Sequence, residues 1–149
     1  METVAQFSIE QRRELFSETA SVLGTTPVVV EKDFWVTRTL ARLFQDEGLE
    51  QVLRFKGGTS LSKVFGVIER FSEDIDLILD WRTVADEDPL AERSGTKQQR
   101  LNQDINTAAA NYIEQRLLEQ IRAVLGDLCE CSIARDEPHV INITYQAAF

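Results

Sequence analysis

Residues 55–79 read FKGGTSLSKVFGVIERFSEDIDLIL, and this stretch decides the fold. A short strand, Gln51 to Lys56, runs into Gly57-Gly58, which breaks it. From Thr59 to Arg70 the apolar residues Leu61, Val64, Phe65 and Ile68 recur at helical spacing. Ile75, Leu77 and Leu79 then alternate with Asp74, Asp76, Ile78 and Asp80. That alternation is a strand with one apolar face and one face that is acidic at its start.

The flanking sequence supplies more elements. Upstream, Ser8 followed by Gln11 resembles a capping box, which starts a helix that runs to about Leu23 and ends at Gly24. Thr26-Pro27 reads as N-cap plus first helical residue, and Val30, Phe34, Leu40 and Phe44 carry a second helix from Pro27 to about Gln45. Gly48 separates it from the strand at Gln51. Downstream, Trp81 to Thr96 is polar and acidic, contains Pro89 and Gly95, and reads as a loop. Gln98 to Leu125 is a long helix pattern with Ile105, Tyr112, Leu117 and Ile121 on its inward side, ended by Gly126. Cys129 to Arg135 and His139 to Tyr145 read as strands that turn at Asp136-Glu137-Pro138.

This order predicts an α/β (α+β) domain over residues 1–149 with a mixed sheet flanked by helices. N-terminal helices occupy 1–47 and the sheet core 51–149. No terminal element follows Tyr145, which suggests a chain truncated at its C-terminus.

The bulk properties narrow the function. A chain of 149 residues, 43% hydrophobic and 28% charged, suits one soluble globular domain. No apolar run approaches the ~20 residues of a membrane span, and METVAQFSIEQRREL lacks the features of a signal peptide. A cytoplasmic protein with no membrane association is the expectation. The net charge of -9 argues against a broad nucleic-acid footprint but permits a local basic site. Cys129 and Cys131 would share one strand face; with only His139 nearby they lack the ligands of a zinc site and read as reduced thiols.

The chemistry lies in residues 55–79. Glycines at 57 and 58 let backbone approach a ligand, and the following helix start offers free N–H groups suited to phosphate. Thr59 and Ser60 add hydroxyls, and Lys63 a point charge one turn in. Asp74 and Asp76, two apart on a strand, face the same way while Ile75 points to the core. Magnesium commonly takes one or two carboxylates plus substrate phosphates. Taken singly, a Gly-Gly is a turn, a D-x-D a solvated strand face, and Glu31-Lys32-Asp33 a charged helix face. Arg70 with Glu73 is then a surface ion pair worth little. In this order the turn, Lys63 and D-x-D form a coherent phosphoryl-transfer site.

Lys56-Gly57-Gly58-Thr59-Ser60-Leu61-Ser62-Lys63, followed by Arg70-Phe71-Ser72-Glu73-Asp74-Ile75-Asp76-Leu77, closely resembles the nucleotidyltransferase toxins of the abortive-infection AbiEii/AbiGii family. Glu31-Lys32-Asp33-Phe34-Trp35-Val36-Thr37 also resembles that family's N-terminal helix. The resemblance implies a core like that of DNA polymerase beta and transfer of a nucleoside monophosphate from an NTP to an acceptor. It further implies a tRNA acceptor, phage defence, and a cognate antitoxin protein as partner. Position by position, Gly57, Gly58 and Thr59 or Ser60 would hold the triphosphate, with Lys63 assisting. Asp74 and Asp76 would be the catalytic ligands of Mg2+, with Mn2+ as a substitute, and Arg70 and Ser72 would orient the loop or touch phosphate. Family members are usually longer and supply a further basic and a third acidic residue on later elements. No later position here identifies itself as either, and Glu130 is a poor candidate for the acid.

Overall fold

A computed structural model describes residues 1–56 and 74–149. The helix expected over Thr59–Arg70, and the phosphate-binding candidates Gly57, Gly58, Thr59, Ser60, Lys63, Arg70 and Ser72, lie outside the described residues.

The N-terminal helices begin and end where local chemistry dictates. A short helix, α1 (Glu2–Ala5), precedes α2 (Ile9–Leu23). Gln11 N donates to Ser8 Oγ at 3.2 Å and Ser8 N to Gln11 Oε1 at 3.0 Å, a complete capping box. Gly24 closes α2 in the left-handed region at φ 67°, which glycine adopts without steric cost. Thr26 caps α3 (Pro27–Leu43), accepting from Val29 N, with Pro27 at its first turn.

Between α3 and the first strand the sequence reading needs correction. Gly48 does not separate elements; it lies inside α4 (Glu47–Val52), whose start is fixed by Asp46 accepting from Leu49 N at 2.9 Å. The strand β1 is accordingly shorter than expected, Leu53–Lys56. It pairs antiparallel with β2 (Asp76–Leu79) in the register Leu53↔Leu79 to Lys56↔Asp76. The 81–96 stretch is largely irregular, apart from a 3-10 turn at Trp81–Thr83 and the start of α5 (Gly95–Tyr112). The long helix pattern is interrupted by a π-helical turn at Ile113–Leu117 before α6 (Leu118–Leu125). Gly126, at φ 68°, ends it as expected.

The second hairpin, β3 (Cys129–Ala134) with β4 (Glu137–Tyr145), turns at Arg135-Asp136 and not at Asp136-Glu137-Pro138. Its register slips between Ile133↔Ile141 and Ala134↔Glu137. That irregularity accommodates Pro138, which has no N–H to give to a ladder. Cys129 and Cys131 are both buried on one face of β3, as their spacing requires.

The overall class is α+β, but the mixed sheet is not what the described residues form. They make two separate antiparallel pairs, β1–β2 and β3–β4. Strand composition and order carry no record of which edges meet, so the error is one of pairing. One core joins the pieces: Trp35 and Leu43 of α3, Leu49 and Leu53, Leu117, Ile121 and Leu125, and the two cysteines. Arg42 spans α3 and α6 by donating Nε and Nη2 to the Val124 carbonyl at 3.0 and 2.8 Å. No helix among the described residues is long and apolar enough to cross a membrane.

Candidate functional site

Asp76 opens β2, and Asp74 lies two residues before it. Along this segment exposure alternates: Asp74, Asp76 and Ile78 are exposed, while Ile75, Leu77 and Leu79 are half-buried. Leu77 and Leu79 pack against the core. Asp76 therefore stands on the solvent side of a strand whose other side is anchored, and Asp74, which the sequence placed on that strand, lies in the segment leading into it, also exposed. Directly across the ladder from Asp76 is Lys56, also exposed. Opposed residues of an antiparallel pair project to the same side with Cβ atoms about 5 Å apart. The lysine that precedes the glycine pair thus shares the face of the second aspartate, a placement the sequence analysis did not assign.

A cleft of about 750 Å³ lies beside the aspartates. Consecutive residues Asp74, Ile75, Asp76 and Leu77 border one side, and β4 residues from Glu137 to Tyr145 border another. Strands that contribute consecutive residues present an edge, because alternate side chains leave opposite faces. The floor is α3, through Trp35, Val36, Thr39 and Leu43, with Lys32 at the N-terminal end of that stripe. Trp35 is 3% exposed and stacks on Tyr145, with ring centroids 4.7 Å apart and planes 18° apart. Its indole N–H is buried without an acceptor among the described residues.

Behind the floor, α3 is held by charged groups. Glu31 is 2% exposed, and its carboxylate accepts from Ala148 N at 2.7 Å and Phe149 N at 3.0 Å. Arg12 donates to the Gln146 carbonyl at 2.8 Å, and Arg13 to the Ala148 carbonyl at 3.0 and 2.7 Å. The guanidinium groups of Arg12 and Arg38 lie over the Trp35 ring, 5.5 and 5.7 Å from its centroid. Arg38 also pairs with Glu2 at 3.0 Å. The charged-face reading is corrected for Glu31: it binds main chain more than a hundred residues away in sequence.

Glu130 is exposed on β3, opposite Thr144, and does not border the cleft. Glu137 and His139 do, in the irregular part of the β3–β4 ladder. His139 Nε2 lies 3.0 Å from the Asn106 carbonyl of α5. Among the described residues no three His, Cys, Asp or Glu side chains are grouped closely enough to hold a metal. Two carboxylates side by side suit an ion such as magnesium, which commonly takes one or two carboxylates and completes its shell with water and substrate phosphate. Burial pushes the thiols of Cys129 and Cys131 above the ordinary range, against the opposing pull of Arg38 and Arg122 respectively.

Fold and site together define an α+β domain with a carboxylate-bearing cleft. Residues 38–148 match the family model for the nucleotidyl transferase AbiEii toxin of a type IV toxin–antitoxin system, and the chain belongs to that family. The match begins within α3, so Glu31 and Lys32 precede it. Comparison with curated proteins and with solved structures gives no match.

Proposed function

We propose that the chain is a magnesium-dependent nucleotidyltransferase that moves a nucleoside monophosphate from an NTP to an acceptor, as the toxin of a toxin–antitoxin pair. The observation that carries the reading is the pair of exposed carboxylates, Asp74 and Asp76, bordering a cleft in a chain of the AbiEii family. In this reading the core is polymerase-beta-like. Asp74 and Asp76 hold Mg2+, or Mn2+ in its place. Gly57, Gly58, Thr59 and Ser60, with Lys63, take the triphosphate, and Arg70 and Ser72 orient the loop or touch phosphate. The metal, when bound, supplies charge neutralisation at the transferring phosphate and lowers the cost of forming an alkoxide nucleophile. The chain's own part is to fix the carboxylates on an anchored strand and to border the substrate with an apolar floor.

The acceptor in this proposal is tRNA, the location is the cytoplasm, the partner is a cognate antitoxin protein, and the biological setting is abortive infection against phage. Resemblance to the family supports these points.

The test is incubation of the purified chain with Mg2+, each α-phosphate-labelled NTP in turn and total cellular RNA. The Asp74→Asn, Asp76→Asn double variant runs in parallel. Label entering RNA only with the wild type is the expected result. Equal labelling by the folded double variant would sink the assignment of the aspartates. Nucleotide binding by the wild type without transfer would instead mark the chain as a nucleotide-binding regulatory module.

A further inference from the structure

The cleft is bordered by a cation to which the D-x-D motif assigns no role. Three carboxylates border it: Asp74, Asp76 and Glu137. Lys32 is the one lysine or arginine among the described residues that does so. It comes from α3, outside the matched residues 38–148. Lys32, Val36, Thr39 and Leu43 are spaced by one helical turn each and all border the cleft, so one stripe of α3 faces it. Within that stripe the three later residues are apolar or neutral, and the single cation stands at the end.

The backbone that bears Lys32 is fixed on both sides. Glu31 is tied to the main chain at 148 and 149, and Trp35 is stacked on Tyr145. A lysine is a flexible point charge, useful for phosphate when its stem is anchored. Lys32 is half-buried and borders the cleft at the N-terminal end of that stripe. We propose that Lys32 is a substrate-binding residue whose ammonium holds a phosphate oxygen of the nucleotide in this cleft. This inference rests on the nucleotide reading of the site and adds to it a binding residue from the N-terminal helices.

The test uses the full chain and magnesium pyrophosphate, which carries the phosphate chemistry without a base, followed by titration with the four magnesium NTPs. Affinities are measured by calorimetry for wild type, Lys32→Met, Lys32→Arg, Lys97→Met and the Asp74→Asn, Asp76→Asn double variant. Losing a charged hydrogen bond weakens binding by about 10-fold to 100-fold, and that is the expected effect of Lys32→Met. Lys32→Arg should recover most of the affinity. Lys97→Met, on α5 and outside the cleft, should leave binding unchanged, which separates a contact from a general change in net charge. Thermal unfolding midpoints are recorded for every variant, and Lys32→Arg carries the comparison if Lys32→Met fails to fold. Wild-type affinity in folded Lys32→Met, with weakened binding in the aspartate variant, would overturn the role of Lys32 and leave the nucleotide reading standing. No binding of pyrophosphate or any NTP by the wild type would overturn both.

Discussion

The two hairpins of this molecule divide its labour. The β1–β2 pair has strands of four residues, carries Asp76 and Lys56 on an exposed face, and continues beyond its ladder through the Asp80 N–H to the Val52 carbonyl at 2.8 Å. The β3–β4 pair has strands of six and nine residues and is fastened from several directions. Arg122 donates to the Cys131 carbonyl at 3.1 and 2.7 Å, Tyr145 stacks on Trp35, and the segment after Tyr145 is held by Arg12, Arg13 and Glu31. The second hairpin holds its position through buried contacts. The first leaves its charges in water, where a ligand can reach them. Stability and chemistry should then respond to different mutations.

The strongest challenge to that division is Trp35→Ala. It removes a buried ring that stacks on Tyr145 and lies against two guanidinium groups and should cost about 3–5 kcal/mol, measured by urea unfolding. A loss below 1 kcal/mol, which is about the size of an ordinary surface change, would mean that the second hairpin is not anchored through this ring. Glu31→Ala comes next. It strands two backbone N–H groups, one of them on buried Ala148, at about 1–3 kcal/mol, and Glu31→Gln should fall between it and the wild type.

The buried thiols predict a pH dependence confined to the second hairpin. Burial raises the pKa of Cys129 and Cys131 in the folded chain above the free-thiol value of 9.0. The folded state therefore keeps protons that the unfolded chain releases, so this contribution is fully present below pH 9.0 and is lost as pH rises through the folded-state values. Unfolding free energies should decline above that pH, less steeply in a Cys129→Ala, Cys131→Ala variant. An identical slope in that variant would assign the decline to other groups. The smallest effect on stability is expected from Asp74→Asn with Asp76→Asn. Both residues are exposed, and the change should stay within about 0.5 kcal/mol, while under the proposed function it abolishes transfer.

What could be read from sequence follows the range of the interactions involved. Ser8 with Gln11, Gly24, and Thr26 with Pro27 act within one helical turn, and each boundary they mark is where the structure has it. The exposed side of β2 on which Asp76 stands was legible because strand periodicity is local, though the strand starts at Asp76 and leaves Asp74 just before it. By contrast, α4 is six residues long and rich in charge, too short for a periodic signal. The irregular register at Ala134 and the pairing of strands into two separate sheets depend on contacts distant in sequence. Glu31 could not be recognised as buried because its partners are at 148 and 149, and Lys32 could not be assigned to the cleft until α3 was seen to form its floor. Of the candidate site, Asp74, Asp76 and Lys56 lie within the described residues, and the phosphate-binding positions from Gly57 to Ser72 lie outside them.

The π turn at Ile113–Leu117 sits where α5, without a fully buried residue, passes into the well-buried α6. Each residue of an α-helix advances about 100° around the axis. A π turn closes i→i+5 hydrogen bonds and so takes one more residue than an α turn, and one residue deleted within it would let the backbone revert to a continuous α-helix with α5 and α6 in about the same phase. Asn106, whose carbonyl meets His139, would keep facing β4, and Leu118, Ile121 and Leu125 would keep their seats. The wide turn is thus a phase-keeping joint: it absorbs one residue of length without turning α5 away from β4, whereas one residue deleted from α5 itself would turn the helix before it by about 100°.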